Sequence, residues 1–242
     1  MKTGTSVTGL LSGSSLKIIA ACAMLIDHVG YAIWRRLPEM GYLVPEQMSR
    51  ETWWAIYNLM RDIGRTAFPI FCFLLVEGFS HTRSRPKFAL RLLLFAFISQ
   101  APFHYAFLGL VENRLNVFFT LFIAFMAMWG MDWAKSKWPG QYAYLGIWVP
   151  LSAAAACLAE WLNTDYGLRG VALILIFYLF RNVTPLAMAV GFWTLDWRGA
   201  YLSGFILPLF YNGERGLGTK YLFYIFYPAH LTVIYIIWRF LL

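Results

Sequence analysis

The chain alternates between long apolar runs and short polar turns. Nine apolar segments stand out: 16–34, 66–80, 91–110, 115–133, 142–162, 167–181, 184–197, 199–211 and 220–242. A bilayer-spanning helix needs about 20 predominantly apolar residues. The pattern therefore predicts an all-α, polytopic integral membrane helical bundle of about eight or nine transmembrane helices. The sixth, seventh and eighth segments are short, which predicts tilted, broken or half-length helices there. Residues 35–64 form the longest polar connection, and ETWWAIYNLMRDIG within it carries apolar residues at helical spacing, as an interfacial helix would. With no linker and no repeat, residues 1–242 are expected to form a single transmembrane domain.

Composition sharpens this picture. The chain has 242 residues, 60% of them hydrophobic and only 13% charged, against about 25% charged in soluble domains. Mean hydropathy is +0.58. The net charge of +8 is scattered through short loops, which fits membrane topology and anionic lipid headgroups better than nucleic acid. The strongest basic turn, HTRSRPKFALR, holds Arg83, Arg85, Lys87 and Arg91 without an acid. Placing it in the cytoplasm puts Lys2, Lys17, Lys135, Lys137 and Lys220 on the same side and the N-terminus inside. Most acids, among them Glu39, Glu46, Asp165 and Asp196, then fall outside. The first fifteen residues lack a signal-peptide layout. Cys22, Cys72 and Cys157 sit in apolar stretches without metal-ligand spacing, as buried small side chains would.

Ionisable groups inside apolar runs are costly and point to function. The first run, LKIIAACAMLIDHVGYAIW, contains Lys17, Asp27 and His28. Lys17 and His28 are three helical turns apart, on one face and about 16 Å from each other. A neutral His in a dry chamber can remove a proton from a hydroxyl or amine, and a nearby carboxylate can steady the imidazolium. Asp27 is turned about 100° from His28, so it acts through water or pairs with a basic residue of another helix. Lys17 would suit a phosphate. Lys87 and Arg91, four apart, share a face at the start of the third run and suit a diphosphate, with Arg83 nearby. Arg65 and Glu77 flank the second run, where Glu77 could pair with Arg83. Asn116, His104, Gln100 and His230 are isolated polar residues, His230 at a depth like that of His28. The histidines could relay protons or act as acid and base; no metal-ligand spacing accompanies them. There is no GxxxxGK[ST], GxGxxG or GxSxG, and NGERGLGTK is expected to be a flexible loop without a phosphate site. These features leave open a proton-coupled transporter, a non-catalytic envelope or pilus assembly factor, and an enzyme.

The ordered set IDH, GRTAFPIFCFLLVEGF, HTRSRPKFALRLLLFAFISQAPF, LNVFFTLF, DYGLRG and FYIFYPAHL resembles the TraX family across most of the chain. The name-giving member of that family is associated with N-terminal acetylation of conjugative pilin. The family is in turn similar to the membrane acyltransferases that O-acetylate surface sugars. Those carry a basic residue, ten residues and a catalytic His in the first helix, and a basic-x3-basic motif after an FF-x-x-SGF-like span. Lys17 and His28 stand at the first spacing, and Lys87 and Arg91 follow FCFLLVEGF, where Glu77 replaces the Ser. The resemblance implies an acyltransferase of the bacterial inner membrane that uses cytoplasmic acetyl-CoA and no metal. Lys17, Lys87, Arg91 and Arg83 would hold the CoA phosphates, with His28 as general base and Asp27 beside it. Arg65, Glu77, Asn116 and His230 would serve the acceptor or the oxyanion. The implied partners are lipids, acyl-CoA and an acceptor protein or surface molecule.

Overall fold

The structure, a computed structural model, describes residues 9–38, 48–138, 140, 145–195, 199–218 and 220–241. Lys2, Glu39, Glu46 and Asp196, used in the topology argument, lie outside the described residues. The described residues fold into α1 (Gly13–Val29), α2 (Arg50–Arg65), α3 (Ala67–His81), α4 (Arg85–Ala106), α5 (Val117–Lys137), α6 (Leu145–Trp161), α7 (Gly167–Leu179), α8 (Thr184–Phe192), α9 (Leu202–Ile206) and α10 (Lys220–Ile236). Strands are absent from them, apart from two isolated bridges. The protein is a helical membrane bundle, since backbone polar groups in hydrocarbon must be satisfied within each helix.

Four helical stretches are long and apolar enough to cross a membrane: Gly13–Trp34, Arg50–His81, Val117–Lys137 and Tyr221–Phe240. Leu145–Trp161 and Gly167–Leu179 are shorter apolar helices. Together they make the expected helical membrane bundle, in which some of the helices are short or broken. The nine residues of α8 reach only about 14 Å, under half of a hydrocarbon core about 30 Å thick. The five of α9 reach less. Both pack on α3 or α7 as half-length elements, where the sequence had suggested short or broken segments.

A second difference concerns 50–64. Its helix is amphipathic, and Ser49 caps it by accepting from the Thr52 amide at 3.1 Å. It does not lie apart as an interfacial helix. Thr66 keeps helical backbone angles, φ −59° and ψ −32°, so α2 runs straight on into α3. Trp53 and Gly64 are its buried residues, and its closest neighbour is α1.

The cysteines divide. Cys72 is buried, but Cys22 and Cys157 are exposed on the outside of the bundle, together with Ile18, Leu25, Leu94, Phe97 and Val149. This apolar exterior is what lipid would cover. The inner core is aromatic and small by turns: Phe79 meets Phe125 and Tyr178 edge-on at 5.2 and 5.7 Å, and Ala20, Ala96 and Ala124 are fully buried.

Candidate active site

Helix α1 enters the bundle with its first amides already satisfied. The Gly13 and Ser14 amides donate to the Glu214 and Arg215 carbonyls at 2.8 and 3.0 Å, and Ser12 caps the helix by accepting from the Ser15 amide at 3.2 Å. The glycine-rich loop expected to be free is therefore fastened to α1. Gly216 adopts φ +69°, and a Cβ there would overlap the Ser12 and Ser14 hydroxyls. Past His28 the helix loosens into a π-helical turn, Gly30–Trp34.

Helices α1, α2, α3, α4, α5, α7 and α10 line a half-open chamber of about 1280 Å³. Its wall includes Lys17, Asp27 and His28 from α1, Arg65 and Glu77 from the second run, and Arg83, Lys87 and Arg91 from the basic turn and α4. Eight candidate residues, distant in sequence, thus face one space. Arg85 from the same basic turn points elsewhere, to Asp132 at 2.5 Å.

One end of the chamber is basic. The Lys17 ammonium lies 5.8 Å from the Phe223 ring centroid, and Arg215 joins the wall beside it, brought there by the loop that caps α1. Ser84 caps α4 by accepting from the Lys87 amide at 3.4 Å, which sets Lys87 and Arg91 one turn apart on the chamber side. Among the described residues, Arg91 Nε is buried without a hydrogen-bond partner. Glu77 pairs with His81, at 3.6 Å, and not with Arg83 as its position had suggested; His81 is on its own helix one turn away, within easier reach.

His28 lies in the chamber wall with its back against α10. Its Nδ1 is 2.7 Å from Nε2 of His230, and Nδ1 of His230 is 2.7 Å from the Phe226 carbonyl oxygen. A carbonyl only accepts, so in the neutral pair His230 Nδ1 carries the hydrogen and its Nε2 is an acceptor. His28 Nδ1 must then be the donor, which leaves the lone pair of His28 on Nε2. That atom has no hydrogen-bond partner among the described residues. Phe107 and Tyr227 hold the His28 ring edge-on at 5.1 and 6.2 Å. His230 itself is buried behind His28 and does not line the chamber.

Asp27 takes its partner from another helix. Arg61 Nη1 donates to Asp27 Oδ2 at 2.7 Å, and the guanidinium lies 4.6 Å from the Tyr31 ring centroid. Gly64 makes this fit possible, since a Cβ there would overlap the Asp27 carboxylate. Arg61, also in the wall, was missed as a site residue because it sits in a segment that reads as a surface helix. Arg215 was missed because its loop looks unstructured. Beyond Asp27 the far end of the wall adds Arg114, Asp165, Tyr166, Arg169 and Tyr201.

Asn116, Gln100 and His104, like His230, stay outside the chamber wall. Asn116 is fully buried and caps α5: its Oδ1 accepts from the Phe118 amide at 3.0 Å, and its Nδ2 donates to the Ala96 carbonyl at 2.7 Å and to Gln100 at 2.8 Å. Gln100 in turn donates to the Arg114 carbonyl at 2.9 Å. These two residues fix the corner between α4 and α5 and do not line the chamber. His104 is exposed and outside it. Among the described residues, no group of three or more His, Cys, Asp or Glu could hold a metal ion.

A helical membrane bundle with ionisable groups around an internal chamber is the class defined so far. The chain belongs to the TraX family: the family model described as TraX protein matches residues 12–238. It is similar to the protein described as "Probable fimbrial assembly protein FimC, serogroup H1" of Dichelobacter nodosus, with 28% identity over 256 residues, covering 92% of this chain and 94% of that protein. No solved structure matches it.

Proposed function

We propose that the protein is a membrane acyltransferase that moves an acetyl group from cytoplasmic acetyl-CoA to an amine or hydroxyl at the cell envelope. The observation that carries this reading is the chamber itself. It joins a cluster of cations at one end to a histidine whose unprotonated Nε2 is left open by a two-histidine chain. The cations Lys17, Arg83, Lys87, Arg91 and Arg215 suit the phosphates of CoA. Lys17 and His28 are separated by about 16 Å along α1, a span for the pantetheine arm.

In this mechanism His28 Nε2 takes the proton of the acceptor as its oxygen or nitrogen attacks the thioester carbonyl. The bond to sulfur then breaks, the acetyl group stays on the acceptor, and His28 returns the proton to the leaving thiolate. Arg61, held by Asp27, is the cation beside His28 for the charge on the tetrahedral oxygen. His230 holds His28 in the reactive tautomer and gives the imidazolium a hydrogen-bond acceptor. The basic turn faces the cytoplasm, where acetyl-CoA is made, in a bacterial inner membrane with the N-terminus inside. The fimbrial-assembly name of the relative supports an acceptor among fimbrial components, a pilin N-terminus being one such amine.

The test is mass spectrometry of envelope proteins and glycans from cells that express the wild type, His28→Ala or no copy of the chain. An acetyl group present only with the wild type is expected. Equal acetylation with His28→Ala, produced at wild-type level in the membrane, would overturn the reading.

A further inference from the structure

We propose, resting on the reading of the chamber as an acyl-transfer site, that the Tyr166 hydroxyl is a catalytic hydrogen-bond donor to the thioester carbonyl and to the tetrahedral oxygen formed from it, alongside Arg61. No bond to Tyr166 forms or breaks in that step. Its proton stays on the phenol while the proton of the acceptor passes to His28.

Tyr166 is held in a backbone conformation that its residue type avoids. It has φ +65° and ψ −12°, in the left-handed region. The other non-glycine residues with positive φ among the described ones are Asn113 and Asn163, and asparagine enters that region far more readily than a bulky side chain. A tyrosine persists there only where its surroundings over-determine it. Here they do so on both sides. The Asp165 amide donates to the Leu115 carbonyl at 2.8 Å, and the Gly170 amide to the Tyr166 carbonyl at 2.9 Å. The Thr120 hydroxyl donates to the Asp165 carbonyl. Gly170 leaves the room needed, because a Cβ there would overlap Tyr166 Cβ at 2.8 Å and crowd the Phe68 ring at 3.1 Å. The Tyr166 ring then lies flat on Phe68, with centroids 3.5 Å apart and planes 5° from parallel.

That stack needs only a ring, and phenylalanine would supply it. The hydroxyl is the part without a structural use. Tyr166 lines the chamber and is half-buried. Its hydroxyl has no hydrogen-bond partner among the described residues, yet it is not one of their fully buried polar atoms, so it is reached from the chamber. It interacts electrostatically with Asp27 and Arg61, and Arg61 does so with His28. Arg61 is thus a common neighbour of the proposed general base and of the phenol. A phenol keeps its proton at neutral pH and donates from a fixed ring. A fixed donor aimed at developing charge is most effective where water is scarce.

The experiment uses the full chain in nanodiscs and two unreactive probes of equal length: S-acetonyl-CoA, which carries a carbonyl oxygen, and S-propyl-CoA, which lacks it. Calorimetry is expected to show the wild type binding S-acetonyl-CoA about threefold or more tightly, with that preference gone in Tyr166→Phe. In acetyl-CoA turnover, kcat is expected to fall about a hundredfold in Tyr166→Phe at constant KM. Tm should not change, because the stack on Phe68 is kept. A preference that survives in Tyr166→Phe, equal binding of the two probes by the wild type, no binding of either, or a fall in Tm in the variant would overturn the proposal. An unchanged kcat in Tyr166→Phe beside an active wild type would overturn it too and leave the enzymatic reading standing. A preference removed by Tyr166→Phe in a protein without acetyl-CoA turnover would support carbonyl binding by Tyr166 and sink the enzymatic reading.

Discussion

Replacing His230 by Phe tests the histidine chain without touching the chamber wall. The change removes the acceptor 2.7 Å from His28 Nδ1, keeps a ring of similar size, and leaves a donor in a closed space between α1 and α10. An unsatisfied buried donor costs about 1–3 kcal/mol. A shift of His28 to the other tautomer, with the proton on Nε2 and the lone pair on Nδ1, relieves that cost, and the proposed general base is then lost. The price in transition-state energy is therefore the same about 1–3 kcal/mol, or about a 5- to 150-fold fall in kcat. The cations proposed to hold acetyl-CoA are elsewhere, so KM should stay within about twofold. Initial rates of CoA release from acetyl-CoA, read with a thiol reagent on protein in nanodiscs, give both constants. His230→Gln, which can offer a carbonyl oxygen to His28, should recover part of the loss. The double variant His28→Ala with His230→Phe should be no slower than His28→Ala alone, because residues that act as a unit are not additive. An unchanged kcat in His230→Phe, or a loss confined to KM, would refute the tautomer argument.

Four further outcomes follow from the same geometry. Gly64→Ala pushes a methyl group into the Asp27 carboxylate and should lower stability by about 1–3 kcal/mol, seen as a fall in Tm by fluorimetry; an unchanged Tm would mean that α1 and α2 are not packed this closely. Asp27→Asn should lower kcat by releasing Arg61, and Arg61→Gln should lower it at least as much; a normal rate in both variants would remove the pair from the site. Arg215→Gln, and Lys87→Gln with Arg91→Gln, should each raise KM for acetyl-CoA with little change in kcat, and a fall in kcat at constant KM would place these cations elsewhere in the reaction. Asn116→Ala loses a helix cap and two further buried hydrogen bonds, worth about 1–3 kcal/mol together with the groups left unpaired, and the check is again the thermal midpoint.

The fold and the site were legible in the sequence to different depths, for physical reasons. Helical periodicity is local, so the shared face of Lys17 and His28 follows from counting residues, as does the pair Lys87 and Arg91. Rotation by about 100° per residue also shows that Asp27 needs a partner from elsewhere. Which partner depends on how α2 continues α3 and on a single glycine, neither of which periodicity reports. His230 was placed at the depth of His28 by counting, but a count along one helix does not say which ring nitrogen meets which neighbour. Asn116 shows the converse: an isolated polar residue at a helix start fits a cap as well as a site, and its three hydrogen bonds decide the matter. Cys22 and Cys157 were expected inside because their surroundings are apolar. In a membrane protein both the core and the lipid face are apolar, so hydropathy does not separate them. Arg215 lies in a loop whose glycines look like slack chain, yet they permit the left-handed turns that fasten it to α1.

In the proposed reaction His28 acts on a thioester delivered to the chamber. The most direct measurement is a single-turnover reaction of acetyl-labelled CoA with purified protein in nanodiscs and an envelope extract, comparing the wild type with His28→Ala at equal Tm. Rapid movement of label from CoA to the extract is expected with the wild type, and a loss of about a hundredfold or more in the variant, with CoA binding retained. Equal transfer by both proteins, or no acetyl-CoA binding by either, would contradict it.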